Sequence, residues 1–156
     1  MKRCVTSLAV SASVAAALII PAVATAGPGA CQIPTKADFT QVFGKVTLAP
    51  KGPNGCDVRT AKYGHFVSYL NVTPASYLPR FFRFATPKFG YSRVPGLGSR
   101  GWYRGIDDPA TGKHSEEALF ARHGYVFTVL SNLPIGARTP TKAQVIKLAR
   151  LTYSRV

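Results

Sequence analysis

An antiparallel sheet with helices packed on one face, the α+β class, is the fold this 156-residue sequence predicts. Two observations carry that expectation. Two threonine-led capping boxes, Thr35-Lys36-Ala37-Asp38 and Thr141-Lys142-Ala143-Gln144, open amphipathic stretches near the two ends of the chain. Between them, short alternating runs are separated by breakers rich in Gly, Pro and Asn, the pattern of strands joined by tight turns. Strands joined that way pair antiparallel, and the helices must bury their apolar stripes against the sheet.

The N-terminus is expected to lie outside that fold. A short basic start, Met1-Lys2-Arg3, leads into an apolar run from Val5 to Ile20, which Pro21 breaks. Ala24-Thr25-Ala26 then places small residues at −3 and −1 of a cleavage position, the anatomy of a secretory signal peptide. Residues 1–26 are therefore read as a cleaved leader, with an uncleaved anchor as the alternative, and 27–156 as a single domain. After cleavage no membrane span is expected. Cys4 leaves with the leader, so Cys31 and Cys56 remain, and in an oxidising compartment they allow one disulfide. Neither has a histidine close by in sequence, which argues against a metal site, and no leucine-led lipobox precedes Cys31.

The elements follow in order. Phe39, Val42 and Phe43 recur at i, i+3, i+4 and predict a helix over 36–43, ended by Gly44. Lys45 to Ala49 and Cys56 to Thr60 are short strands flanking an Asn54-Gly55 turn, and His65 to Val72 alternates as a third. A middle helix is expected over 75–84, with Pro79 as a break or second start inside it. Pro95-Gly96-Leu97-Gly98-Ser99-Arg100-Gly101 is a glycine loop ahead of a strand from Trp102 to Ile106. Asp107 to Gly112 is breaker-rich. Glu117 to Arg122 and Tyr125 to Leu130 are strands joined by the two-residue loop His123-Gly124. A last helix over 142–153 buries Val145, Leu148, Ala149 and Thr152.

Taken together, Cys31 before a short helix, Cys56 after a Gly-rich turn, Pro95-Gly96-Leu97-Gly98, Trp102-Tyr103 and a closing amphipathic helix resemble a family of exported actinobacterial domains of unknown function. Many of its members are lipoproteins, and the family is similar to the extracellular sensor domain of a mycobacterial receptor kinase. The resemblance spans about Cys31 to Tyr153. It implies the α+β fold and an envelope location, and it brings no catalytic residues. The chain departs from the family pattern at Ser99, where an acidic residue is usual, and in its cleaved leader.

Charge points to partners. The sequence holds 20 Lys plus Arg against 6 Asp plus Glu, a formal +14. Such a balance favours encounter with anionic cell-wall polymers, lipid headgroups or acidic proteins. Nucleic acid is disfavoured by export and by the lack of a base-reading motif. The candidate binding residues are Arg80, Arg83, Arg93, Arg100, Trp102 and Arg104, interleaved with aromatics between Tyr77 and Tyr103. Guanidinium forks match carboxylate and phosphate, and ring faces stack on sugars or on the guanidinium itself. The alternative is that these rings are core and the arginines a solvated rim.

Catalysis has weak support. Glu117 and His123 could serve a ribonuclease-like hydrolase as base and acid. His123 is equally explained as a hairpin residue tolerant of positive φ. No nucleophile elbow, His-Glu-x-x-His or Cys-His pair occurs, and no cofactor is expected.

Overall fold

Both capping boxes form. The structure, a computed structural model, describes residues 31–52, 54–72 and 78–156. The expected leader and the first part of the expected middle helix, residues 75–77, lie outside the described residues. At the first box the Thr35 hydroxyl accepts from the Asp38 amide (3.3 Å), and the Asp38 carboxylate accepts from the Thr35 amide (2.8 Å). That box starts α1 (Lys36–Phe43), and Gly44 closes it at φ 79°. The second starts α3 (Lys142–Tyr153), whose buried residues are Val145, Leu148, Ala149 and Thr152. Local hydrogen bonding at the first turn satisfies amides that the helix itself cannot, so these two ends are fixed by sequence alone.

Among the described residues seven antiparallel strands form one sheet: β1 (Val46–Lys51), β2 (Gly55–Thr60), β3 (Gly64–Val72), β4 (Ser92–Arg93), β5 (Trp102–Asp108), β6 (Lys113–Arg122) and β7 (Tyr125–Pro134). Their spatial order is β1-β2-β3-β7-β6-β5-β4. Two meanders thus meet at the β3–β7 pair, where Phe66 lies opposite Ser131 and Val72 opposite Tyr125. The β6–β7 hairpin turns through His123 (φ 48°) and Gly124 (φ 81°), two successive left-handed residues whose twist matches that of the strands.

Helices α1 and α3 cover one face of this sheet. Phe39 and Phe43 meet Phe66 with ring centroids 6.4 and 4.8 Å away, and Phe120 meets Phe127 at 5.2 Å. Ala118, Val129, Val145 and Leu148 complete that core. A fully buried Phe or Leu stabilises a fold by about 1.5–3 kcal/mol, so this layer dominates the energetics. The Cys31–Cys56 disulfide ties the segment ahead of α1 to β2. Arg155 Nη2 donates to Asp38 Oδ1 (2.8 Å), fastening the C-terminus to α1. Burial opposes ionisation of Asp38, but its bonds from Arg155 and Thr35 prevail and hold its carboxyl below the usual range.

The middle helix expected over 75–84, with Pro79 as a break or second start, is short and irregular in its described part. Among the described residues 78–84, Leu78–Phe81 form the helix α2, and a 3-10 turn, Phe82–Phe84, follows it. Pro79 in α2 supplies no backbone N–H, so a longer helix running through it would lose a hydrogen bond. The following stretch packs on the sheet face opposite α1 and α3. Ala85, Tyr91 and Leu119 are buried together there, with Phe82 and Trp102 against them. Leu119 stands between Ala118 and Phe120 on β6, and successive strand residues point to opposite faces. Among the described residues no helix is long and apolar enough to cross a membrane.

Candidate anion-binding surface

Thr86-Pro87 sets the geometry of this second face. Thr86 is extended, Pro87 opens a 3-10 turn (Pro87–Phe89), and Gly90 closes it at φ 78°. The Tyr91 amide then returns to the Thr86 carbonyl (3.2 Å), so the chain doubles back within a few residues. Ala85 and Tyr91 are thereby pinned to the sheet, while the residues between them are pushed outward. Phe84 and Phe89 are 50% and 41% exposed, unlike most rings among the described residues. Their centroids lie 5.4 Å apart in an edge-to-face arrangement. The Arg83 guanidinium sits over the Phe84 ring at 4.3 Å, and Lys88 Nζ lies 6.0 Å from the Phe89 centroid. Arg80 is exposed alongside.

Beneath this tip the arginines behave differently. Arg93 stacks on Trp102 at 4.7 Å and donates from Nη1 to the Ser99 carbonyl and from Nη2 to the Gly98 carbonyl (3.3 Å). Arg104 stacks on Tyr91 at 4.6 Å and donates from Nη2 to Glu117 Oε2 (3.1 Å). The Tyr91 hydroxyl donates to the same oxygen at 2.5 Å. Burial, with the Glu117 carboxyl beside it, pushes the Tyr91 phenol well above its ordinary range. Arg93 and Arg104 are thus held by ring, carbonyl and carboxylate contacts of the domain itself. Arg100 is half-buried at the end of the 3-10 turn Gly98–Arg100.

The six residues singled out in the sequence therefore divide. Arg80 and Arg83 stand at the exposed tip. Arg93, Trp102 and Arg104 form a stacked layer under it, and Arg100 lies in the glycine loop. Phe84, Phe89 and Lys88 join the exposed group. Their sequence signal is only membership of the aromatic and basic stretch, since an apolar ring is expected inside until packing says otherwise.

Positive charge predominates in the stretch that builds this surface. No acidic residue occurs between Asp57 and Asp107, the stretch that holds Arg80, Arg83, Lys88, Arg93, Arg100 and Arg104. Of these, Arg104 has the Glu117 ion pair. All 6 acidic side chains of the sequence are engaged within the domain. Asp38 binds Arg155, Asp57 binds His65 and Arg59, Asp108 caps its own turn, Asp107 and Glu116 bind His114, and Glu117 binds Arg104.

On the helix-covered face lies a second polar group. Asp107 Oδ1 is 2.6 Å from His114 Nδ1, and His114 Nε2 is 3.0 Å from Glu116 Oε1. The Tyr103 hydroxyl donates to Glu116 Oε2. Gly105, opposite Glu116 in the ladder, makes room, because a Cβ there would stand 2.6 Å from the Tyr103 hydroxyl. Lys142 Nζ lies over the Tyr103 ring at 4.8 Å. Both imidazole nitrogens face carboxyl oxygens, so the doubly protonated ring is the form that satisfies them. The Glu116 bond, then that of Asp107, raises the His114 pKa. With both nitrogens engaged, the ring is an ion-cluster member and not a free acid or base. Among the described residues, His, Cys, Asp and Glu form no group of three suited to a metal ion.

Glu117 and His123 are not brought together. They stand six positions apart along β6 and its turn, about 20 Å at the rise of an extended strand. Glu117 is occupied by Tyr91 and Arg104, and His123 takes the exposed left-handed position of the hairpin. Acid–base catalysis needs both groups within hydrogen-bond reach of one reacting centre, and this pair does not offer that.

The chain matches no family model, no curated protein and no solved structure. Function is left to be read from its own side chains.

Proposed function

We propose that this chain is an exported, non-catalytic domain of the cell envelope that binds or senses an anionic ligand through the Arg80–Lys88 tip. One observation carries the proposal: two exposed rings are flanked by Arg83 and Lys88, with Arg80 exposed three residues before Arg83, in a stretch without a single acidic residue. Such a surface attracts anions at long range, and the rings beside it offer apolar contact at close range. The Cys31–Cys56 cross-link supports an oxidising compartment. Cell-wall polymer, lipid headgroup and acidic protein all have the required charge.

Retention on immobilised polyphosphate and on purified cell wall tests this. Arg80→Gln/Arg83→Gln/Lys88→Gln is compared with Lys36→Gln/Lys45→Gln/Lys51→Gln, an equal loss of charge at exposed positions elsewhere. The tip variant is expected to elute at clearly lower salt than the control variant. Identical elution of the two would show that net charge acts without a defined surface, and the proposal would fail.

A further inference from the structure

We infer that the anionic partner is the surface of an anionic lipid bilayer, into which Phe84 and Phe89 insert while Arg80, Arg83 and Lys88 lie at phosphate level. This rests on the anion-binding reading above and narrows it to one occupant. The charge of a polyanion is matched by the cations, whereas two phenylalanine rings held half out of the protein add a surface that is purely apolar. Exposed apolar rings are unfavourable in water and become favourable in the hydrocarbon boundary of a membrane.

Geometry separates this from a sugar platform. A glycan stacks on open ring faces, but Arg83 covers Phe84 and the two rings meet edge to face. What they present together is a compact apolar wedge rimmed by ammonium and guanidinium groups. The wedge is also preorganised. The Thr86 carbonyl accepts from the amides of Phe89 (3.0 Å) and Tyr91 (3.2 Å), and Ala85, Tyr91 and Phe82 are packed against Leu119 and Trp102. Arg80, Arg83 and Lys88 are exposed, so their N–H groups can donate to lipid phosphate, in the case of Arg83 from a guanidinium that stays stacked on Phe84. Each cation near an anionic leaflet strengthens binding about fivefold, equivalent to about 1 kcal/mol. Three cations and two rings make a reversible surface dock, not an anchor.

The test uses the exported, disulfide-bonded protein and sedimentation with three probes. These are vesicles of phosphatidylcholine, vesicles of phosphatidylcholine and phosphatidylglycerol in equal parts, and soluble polyphosphate. Phe84→Ser/Phe89→Ser is compared with Ile106→Ser/Ile135→Ser, which removes exposed apolar side chains elsewhere (41% and 46% exposed). Any contribution of residues 1–26 is common to all variants. Wild type is expected to prefer the anionic vesicles. The ring variant should lose about tenfold or more in vesicle affinity, the scale of burying apolar ring surface, with unchanged polyphosphate binding and unchanged thermal midpoint. The isoleucine variant should bind as wild type does. Equal vesicle affinity for wild type and the ring variant overturns insertion while leaving anion binding intact. Binding to polyphosphate but not to anionic vesicles overturns the bilayer as partner. Retention on no anionic probe removes the parent proposal as well.

Discussion

Replacing Gly101 by alanine gives the sharpest structural test of the glycine loop. Gly101 has φ −100° and ψ 122°, an extended conformation that any residue adopts, so backbone strain is not the issue. On that ground alone, alanine would stabilise the fold by about 0.4–1 kcal/mol through a less flexible unfolded chain. Space decides otherwise. A Cβ at Gly101 would stand 2.2 Å from the Leu97 Cβ and 2.7 Å from the Leu97 carbonyl oxygen. Leu97 is fully buried in the core beneath α3, and Val94 N–H is bonded to the Gly101 carbonyl at 3.1 Å. These neighbours are backbone and Cβ atoms, so no rotamer change relieves the overlap. Overpacking of this kind costs about 1–3 kcal/mol or more, and it outweighs the entropic gain. At about 3–5 °C per kcal/mol for a domain of this size, the thermal midpoint followed by circular dichroism should fall by several degrees. A midpoint at or above wild type would mean that residues 94–101 do not close over Leu97 as described.

Three other outcomes follow from particular contacts. Cys31→Ala/Cys56→Ala opens a loop of sequence separation 25, and loop-closure entropy sets the loss at about 3.5 kcal/mol in urea unfolding; unchanged stability would remove the cross-link from the ledger. Ser131 is 1% exposed, and among the described residues its hydroxyl has no partner. Ser131→Ala is therefore expected to raise stability by about 1 kcal/mol, whereas a loss would reveal a bond the hydroxyl does make. His114, facing Asp107 and Glu116 with Tyr103 and Lys142 adjacent, has a raised pKa. Its charged form is favoured in the folded state, so its contribution is fully present below the unfolded value of about 6.5. That contribution disappears as pH rises through the higher folded value. Thermal midpoints of wild type and His114→Gln should converge as pH rises across this window, and curves that stay parallel would contradict the ion cluster.

The legible parts of this fold are local. Thr35 and Thr141 announce helices because their hydroxyls bond amides three residues on, and His123-Gly124 announces a hairpin because both positions tolerate positive φ. The α+β class and the buried stripe of α3 follow from the same short-range periodicity. Long-range choices are not legible. The pairing of β3 with β7 joins two meanders far apart in sequence, and β4 is too short, at two residues, to leave an alternating pattern. Where each guanidinium ends is decided by register. Arg104 reaches Glu117 because β5 and β6 place them opposite one another, and Arg93 reaches Trp102 across the β4–β5 pair. The exposure of Phe84 and Phe89 is likewise a tertiary result, since Thr86-Pro87 and Gly90 turn them away from Leu119. For the same reason Asp107, His114 and Glu116 stand apart in the sequence, and the β5–β6 register makes them one chain of bonds.

We propose that one defined tip, and not the diffuse positive charge of the domain, meets the anionic partner. Backbone amide resonances followed during titration with phosphatidylglycerol-containing bicelles test it most directly. Shifts concentrated at residues 80–90, with α3 and the Lys36, Lys45 and Lys147 regions still, are the expected result. Shifts of equal size around every exposed lysine and arginine would contradict it.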